Sequence, residues 1–114
     1  MIHEMKLQPT YFDFIKNGTK RIELRLFDDK RKAILLGDTI KFIKEPEKLE
    51  NIEVTVTGLL RYNTFKELLN DFNIEILADV SLSKEELLRE LETFYTKEEQ
   101  GKYGVLGIRF ENLI

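Results

Sequence analysis

Residues 18–26 read GTKRIELRL, a glycine followed by charged and apolar side chains in alternation. Alternation with a period of two is typical of a β-strand that buries one face and exposes the other. One face carries the apolar residues Ile22, Leu24 and Leu26. The other face carries the charged residues Arg21, Glu23 and Arg25. Gly18 lets the backbone turn sharply just before this strand begins.

The charged residues of this segment follow the pattern G-x-K-x-x-E-x-R, which is compact enough to form one site. Lys20 could neutralise an anionic oxygen, and Arg25 could donate paired hydrogen bonds to a planar anion or a base edge. Glu23 could hold either cation or accept a proton. In a regular strand Lys20 would point away from the other two, so a single site requires Lys20 to lie in the turn. The alternative is an ordinary solvated strand face, whose ion pairs contribute about 0 to 1 kcal/mol each.

The rest of the chain supplies further strands and helices around this segment. Apolar patterning predicts strands over residues 3–7, 20–26, 39–43, 51–60 and 105–110. A helix should begin at Pro9 and end at Asn17-Gly18, whereas residues 28–33 are a polar turn or short helix and residues 74–80 fit neither class. The order predicts an α+β fold with a small mixed, mostly antiparallel sheet that can curl into a barrel.

Three more helices are indicated by a Thr or Ser that is followed three residues later by Glu, the pattern of a capping box. They should begin near residues 65, 84 and 97, after the pairs Thr64 with Glu67, Ser83 with Glu86 and Thr96 with Glu99. The helix from residue 84 carries apolar side chains at helical spacing: Leu87, Leu88, Leu91, Phe94 and Tyr95. We interpret that face as core packing rather than as a groove for a partner.

Length and composition exclude several classes of protein. A chain of 114 residues with 42% hydrophobic and 34% charged residues is typical of one soluble globular domain, here residues 1–114. With no cysteine and a single histidine, His3, a disulfide framework, a thiolate nucleophile and a histidine metal cage are excluded, and we expect no metal or cofactor. No apolar run approaches the ~20 residues that span a bilayer, so we expect a cytoplasmic protein with no membrane partner.

Charge is distributed unevenly along the chain. The net charge is −3, yet residues 14–32 hold seven basic and three acidic residues, a local balance of +4 that leaves −7 elsewhere. An anionic partner would therefore meet the first third of the chain. The acidic remainder favours a short single strand or one nucleotide over a long duplex, which would bring many phosphates near negative charge.

Several segments in order resemble the ASCH (activating-signal-cointegrator homology) domain. They are the motif over residues 18–25, the preceding KLQP of residues 6–9 and the aromatic helix of residues 11–16. The LGDTIKF of residues 36–42 and the segment 95–108, which contains KYGV, are also similar to ASCH sequences. Together these segments cover most of the chain.

The resemblance implies a small β-barrel related to the PUA (pseudouridine synthase and archaeosine transglycosylase) RNA-binding domain, with helices beside it. It also implies a cleft between barrel and helices that holds RNA or a small nucleotide-like ligand. Lys20, Glu23 and Arg25 occupy the charged positions of the motif, and Gly18 its turn. Sequence order alone adds three candidates for ligand contact. Arg61 and Tyr62 lie at the end of the strand predicted from residue 51, and Tyr103 directly precedes Gly104. For Tyr62, packing at a barrel mouth is an equal alternative.

Some ASCH proteins are amidohydrolases of N4-acylated cytidine, and others have been assigned nuclease activity. The amidohydrolases use a lysine, a threonine and a later glutamate, but Glu23 stands at the threonine position here. If this chain is an enzyme, Lys20 and Glu23 are its catalytic candidates, and either Glu67 or Glu75 would supply the later carboxylate. A ribonuclease is the third alternative, for which His3 alone gives no obvious acid–base pair.

Overall fold

The computed structural model describes residues 1–112, in which five strands form one mixed sheet. The strands are β1 (Ile2–Leu7), β2 (Ile22–Leu26), β3 (Thr39–Lys44), β4 (Asn51–Tyr62) and β5 (Val105–Asn112). Their order in the sheet is β1-β3-β4-β5-β2; β1 runs parallel to β3, and every other pair is antiparallel. The sheet curls into a half barrel, which confirms the predicted α+β class.

Six helices lie beside the sheet. They are α1 (Pro9–Lys16), α2 (Asp29–Lys32), α3 (Phe65–Asn70), α4 (Ile74–Leu77), α5 (Lys84–Phe94) and α6 (Lys97–Tyr103). Reciprocal capping boxes form at the starts of α5 and α6, as predicted. At α3 only half of the box forms: Thr64 Oγ1 accepts from the Glu67 amide, but the Glu67 carboxylate accepts from the Thr64 hydroxyl and not from the Thr64 amide. None of the helices within residues 1–112 combines the length and apolar character needed to cross a membrane.

Two apolar clusters stabilise this arrangement. The first joins α1 to strands β1, β3, β4 and β5, with Phe12, Phe42 and Phe110 as its largest members. The second joins β2 to helices α3, α4 and α5. Gly107 of β5 lies where α3 packs closely against the sheet. A Cβ added at Gly107 would lie 3.2 Å from Leu68 of α3 and 3.2 Å from Ile22 of the neighbouring strand β2. The apolar face predicted for β2 is therefore buried under helices.

The half barrel has an open seam between its edge strands, β1 and β2. These strands share no ladder of backbone hydrogen bonds. Instead Arg25 of β2 donates from Nη2 to the carbonyl of Lys6 in β1, at 3.0 Å. Side chains at the seam are thus not covered by a neighbouring strand, and helix α5 lies nearby. This seam is where the charged motif is found.

Candidate functional site

The turn between α1 and β2 determines the direction in which the Lys20 side chain points. Gly18 has a φ of 84°, in the left-handed region that favours glycine, and the amides of Thr19 and Lys20 both donate to the Phe14 carbonyl. Because β2 begins only at Ile22, Lys20 precedes the strand and escapes its alternation. Its side chain can therefore point to the same side as Glu23.

Lys20 is almost completely buried and all three of its N–H groups have acceptors. Its Nζ donates to the carbonyls of Ile22 at 2.6 Å and Leu77 at 2.7 Å, and it lies 3.3 Å from Oε1 of Glu23. Burial lowers the pKa of Lys20, while Glu23 acts in the opposite direction. The acceptors hold the ammonium in one position, so Lys20 is a fixed charge rather than a mobile one.

Glu23 lies between two cations. Its exposed fraction is 5%, and its Oε2 accepts from Nε of Arg25 at 2.8 Å. Burial alone would raise the pKa of Glu23, but Arg25 and Lys20 outweigh that effect and hold the pKa below its usual range. The alternative of a solvated strand face is wrong for these residues. It holds only for Arg21, which is exposed.

The three motif side chains converge on one cavity of about 240 Å³ at the seam. The end of β1 and the residue after it form one wall through Lys6, Leu7 and Gln8. Helix α5 and the first residue beyond it form the opposite wall with an apolar and aromatic surface: Leu87, Leu91, Phe94 and Tyr95. The cavity therefore combines fixed charges on one side with flat apolar groups on the other.

Two further lining residues, Tyr11 and Glu90, were not among the sequence candidates. The Tyr11 hydroxyl donates to the Glu90 carboxylate and joins α1 to α5 across the cavity. Burial, and then Glu90, raises the pKa of Tyr11 above its usual range. The sequence did contain an indication that Glu90 has a special role, because this charged residue lies between Leu87 and Leu91 on the helix face that is predicted to be apolar.

One residue of that face differs from prediction. Phe94 was expected to pack in the core, but 59% of its surface is exposed at the cavity. Leu87 and Leu91 are buried as predicted. The difference arises because α5 ends at Phe94, beyond the part of the helix that covers β2.

The remaining sequence candidates lie elsewhere. Gly18 shapes the turn but does not line the cavity. Three others line a second hollow of about 600 Å³ at the junction of β4 and α6, namely Arg61, Tyr62 and Tyr103. Of the two later carboxylates, Glu67 lines that second hollow and Glu75 lines neither. His3 lines neither and binds Asp38, with Nε2 2.8 Å from Oδ2.

The chemistry available at the motif cavity is that of charge and hydrogen bonding. Its lining contains a guanidinium, ammonium groups, two carboxylates and an amide, but no serine, threonine or cysteine. Within residues 1–112, no cluster of three or more His, Asp or Glu side chains is placed to hold a metal ion. The geometry suits recognition of a polar, planar guest between charges and rings.

Comparison with known proteins gives the family. Residues 5–114 match the ASCH domain family. The chain belongs to the ASCH family. ASCH domains are PUA-like and are proposed to bind RNA. No protein among the curated sequences matches this ASCH chain.

Solved structures agree with this assignment. The hypothetical protein PH0355 is 41% identical and superposes with a TM-score of 0.85 over 99% of this chain and 100% of its own. The protein PF0455 of Pyrococcus furiosus is 38% identical, with a TM-score of 0.77 over 99% of this chain and 98% of its own. A mutant of ZmASCH from Zymomonas mobilis shares only 13% identity but has a TM-score of 0.70, covering 97% of this chain and 68% of its own. The ZmASCH match therefore supports the fold alone.

Proposed function

We propose that the motif cavity binds one base of a single-stranded RNA or a nucleotide-like ligand. The observation that carries this proposal is the convergence of Lys20, Glu23 and Arg25 on a single solvent-reachable cavity. A purely structural ion-pair cluster would not need an opening lined by three aromatic side chains, of which Phe94 is exposed. The membership of the ASCH family supports the same ligand class.

The size of the cavity favours a small, flat guest. Its volume of about 240 Å³ is below the range of roughly 300 to 1,000 Å³ that is usual for pockets of drug-sized ligands. A duplex cannot enter such an opening, whereas one unstacked base can. RNA-binding proteins commonly recognise bases that are splayed out of a single strand in this way.

The hydrogen bonds within the cluster assign different roles to its members. Lys20 is held by Glu23 and by two backbone carbonyls, and Glu23 is held by Lys20 and Arg25, so Lys20 and Glu23 position charge rather than reach outward. Arg25 uses Nε and Nη2 for Glu23 and Lys6; burial lowers the pKa of the guanidinium, but Glu23 and the nearby Tyr95 outweigh burial and raise that pKa. We infer that Arg25 Nη1 meets the edge of the base, with Glu23 fixing the guanidinium plane.

Binding measurements with an arginine variant test the proposal. Short single-stranded RNAs titrated into Arg25→Ala should bind at least about tenfold more weakly than to the native protein, because a charge-assisted hydrogen bond of roughly 1.5 to 3 kcal/mol is lost. Arg21→Ala is the matched control, since Arg21 is exposed on the same segment and outside the cavity. Equal affinities for the two variants would contradict the proposal.

Phe94 provides a second prediction about the same cavity. Phe94→Ala should weaken RNA binding about tenfold, because stacking of a base on an aromatic ring contributes ~1 to 3 kcal/mol. Its free energy of unfolding should change little, since Phe94 is mostly exposed. Isothermal titration calorimetry measures the change in RNA affinity, and thermal denaturation measures the change in stability. A variant that unfolds more easily but binds RNA normally would show that Phe94 is a core residue after all.

One observation favours hydrolysis of a modified nucleoside as a second candidate function. Burial lowers the pKa of Lys20 at the wall of the cavity, and a lysine with a lowered pKa can act as a base. The cavity contains no hydroxyl nucleophile of Ser or Thr, so water would have to attack. Incubation with N4-acetylcytidine tests this: release of cytidine and acetate faster than in a protein-free blank supports it, and release no faster than in that blank removes it.

A further inference from the structure

The second hollow has its own set of cations and rings, distinct from the motif. Its volume is about 600 Å³, and its lining includes Phe27, Arg61, Lys102 and Tyr103. The guanidinium carbon of Arg61 lies 4.0 Å from the centre of the Phe27 ring. The ammonium of Lys102 lies 5.1 Å from the centre of the Tyr103 ring. Both distances are within the range of cation–π contacts.

These two cations are held by rings instead of carboxylates. Within residues 1–112, no carboxylate oxygen lies within 4.0 Å of the charged nitrogens of Arg61 or Lys102. A guanidinium stacked on a ring keeps its N–H groups directed to the side, where an anionic oxygen can accept them. The carboxylate of Glu67, the acid at this hollow, accepts a hydrogen bond from the Thr64 hydroxyl. The arrangement therefore leaves positive charge available to a ligand.

The second hollow adjoins the motif cavity. Phe27, which lines the second hollow, is the first residue after β2 and follows Arg25 by two residues. Gln100, which lines the second hollow, donates from Nε2 to the carbonyl of Tyr95, which lines the first. The linings of the two hollows are thus joined by this hydrogen bond.

We propose that the second hollow binds the phosphate backbone and the neighbouring nucleotide of the same RNA strand whose base enters the motif cavity. Arg61 and Lys102 would contact phosphate, and the exposed ring of Tyr103 would stack on the next base. This inference rests on the function proposed for the motif cavity and extends it. The ligand is then a single strand of at least two nucleotides rather than a free nucleoside.

Two kinds of probe separate the hollows. Hexaribonucleotides of A, C or U should contact both sites, whereas the matching nucleoside 5′-monophosphates fill the motif cavity alone. For the double variant Arg61→Ala with Lys102→Ala, we expect about tenfold weaker binding of the best hexaribonucleotide and unchanged binding of its monophosphate. The slope of log affinity against log salt should fall by about 1.4, because each phosphate contact on a single strand contributes ~0.7.

The control is Arg21→Ala with Lys97→Ala, which removes two exposed cations that line neither hollow. It should bind both probes like the native protein. If the Arg61 and Lys102 variant also binds the hexaribonucleotide normally while Arg25→Ala weakens both probes, the second site is overturned and the motif cavity stands. If Arg25→Ala leaves both probes unaffected, the function proposed for the motif cavity is overturned instead.

Discussion

Glu23→Ala is expected to lower the free energy of unfolding by about 3 to 5 kcal/mol, the usual cost of removing one partner from a buried ion pair. Glu23 is the only carboxylate found between Lys20 and Arg25 within the described residues, and both cations are largely buried. Without it, two positive charges would face each other in a region shielded from water. Denaturation in urea measures the loss.

Two controls accompany this variant. Glu53→Ala removes a carboxylate from an exposed position of β4 and should change stability by no more than about 0.5 kcal/mol. Glu23→Gln keeps the shape of the side chain but not its charge. Its free energy of unfolding should lie between those of Glu23→Ala and the native protein. A Glu23→Ala protein as stable as Glu53→Ala would mean that the cluster is solvated in solution.

Lys20→Met is expected to lower the free energy of unfolding by about 2 to 4 kcal/mol, because it leaves the carbonyls of Ile22 and Leu77 without a donor and removes a charge beside Glu23. Lys16→Met is the control, since Lys16 forms a surface ion pair with Glu50. In a double-mutant cycle, Lys20→Met and Glu23→Ala should couple by at least about 1 kcal/mol. Additive effects would contradict direct contact between the two side chains.

The consequence for binding experiments is practical. From the sequence, Lys20 looks like a residue that can be removed to test ligand contact without affecting the fold. The structure makes it a positioning residue whose loss also weakens folding. Phe94, which is mostly exposed and belongs to no ion pair, separates binding from stability better.

Features that depend on neighbouring residues were predictable from the sequence. The capping boxes that start at Ser83 and Thr96 close within one helical turn, so their residues carry the whole signal and both helices begin where predicted. The strand predicted over residues 20–26 was equally clear, because its alternation is local, although the strand begins only at Ile22. The ASCH resemblance supplied the barrel, which no local pattern contains.

Features that depend on distant contacts were not predictable. One of the two carbonyls that hold Lys20 belongs to Leu77, 57 residues away, in a one-turn helix whose segment fitted no pattern. Tyr11 and Glu90 meet across 79 residues. Sequence order correctly placed Arg61 at the end of a strand, but it could not show that Arg61 lines a second hollow, apart from the motif cavity.

The position of bound RNA tests the central claim most directly. Titration of the ¹⁵N-labelled protein with the tightest-binding hexaribonucleotide should shift the backbone amides around the motif cavity most strongly, those of Gln8, Leu24, Arg25 and Tyr95 among them. The amide resonances of residues near His3 and Asp38, at the other end of β1, should not shift. Strong shifts near His3 and Asp38 with none at the motif cavity, or no shifts with any of the RNAs, would contradict the account.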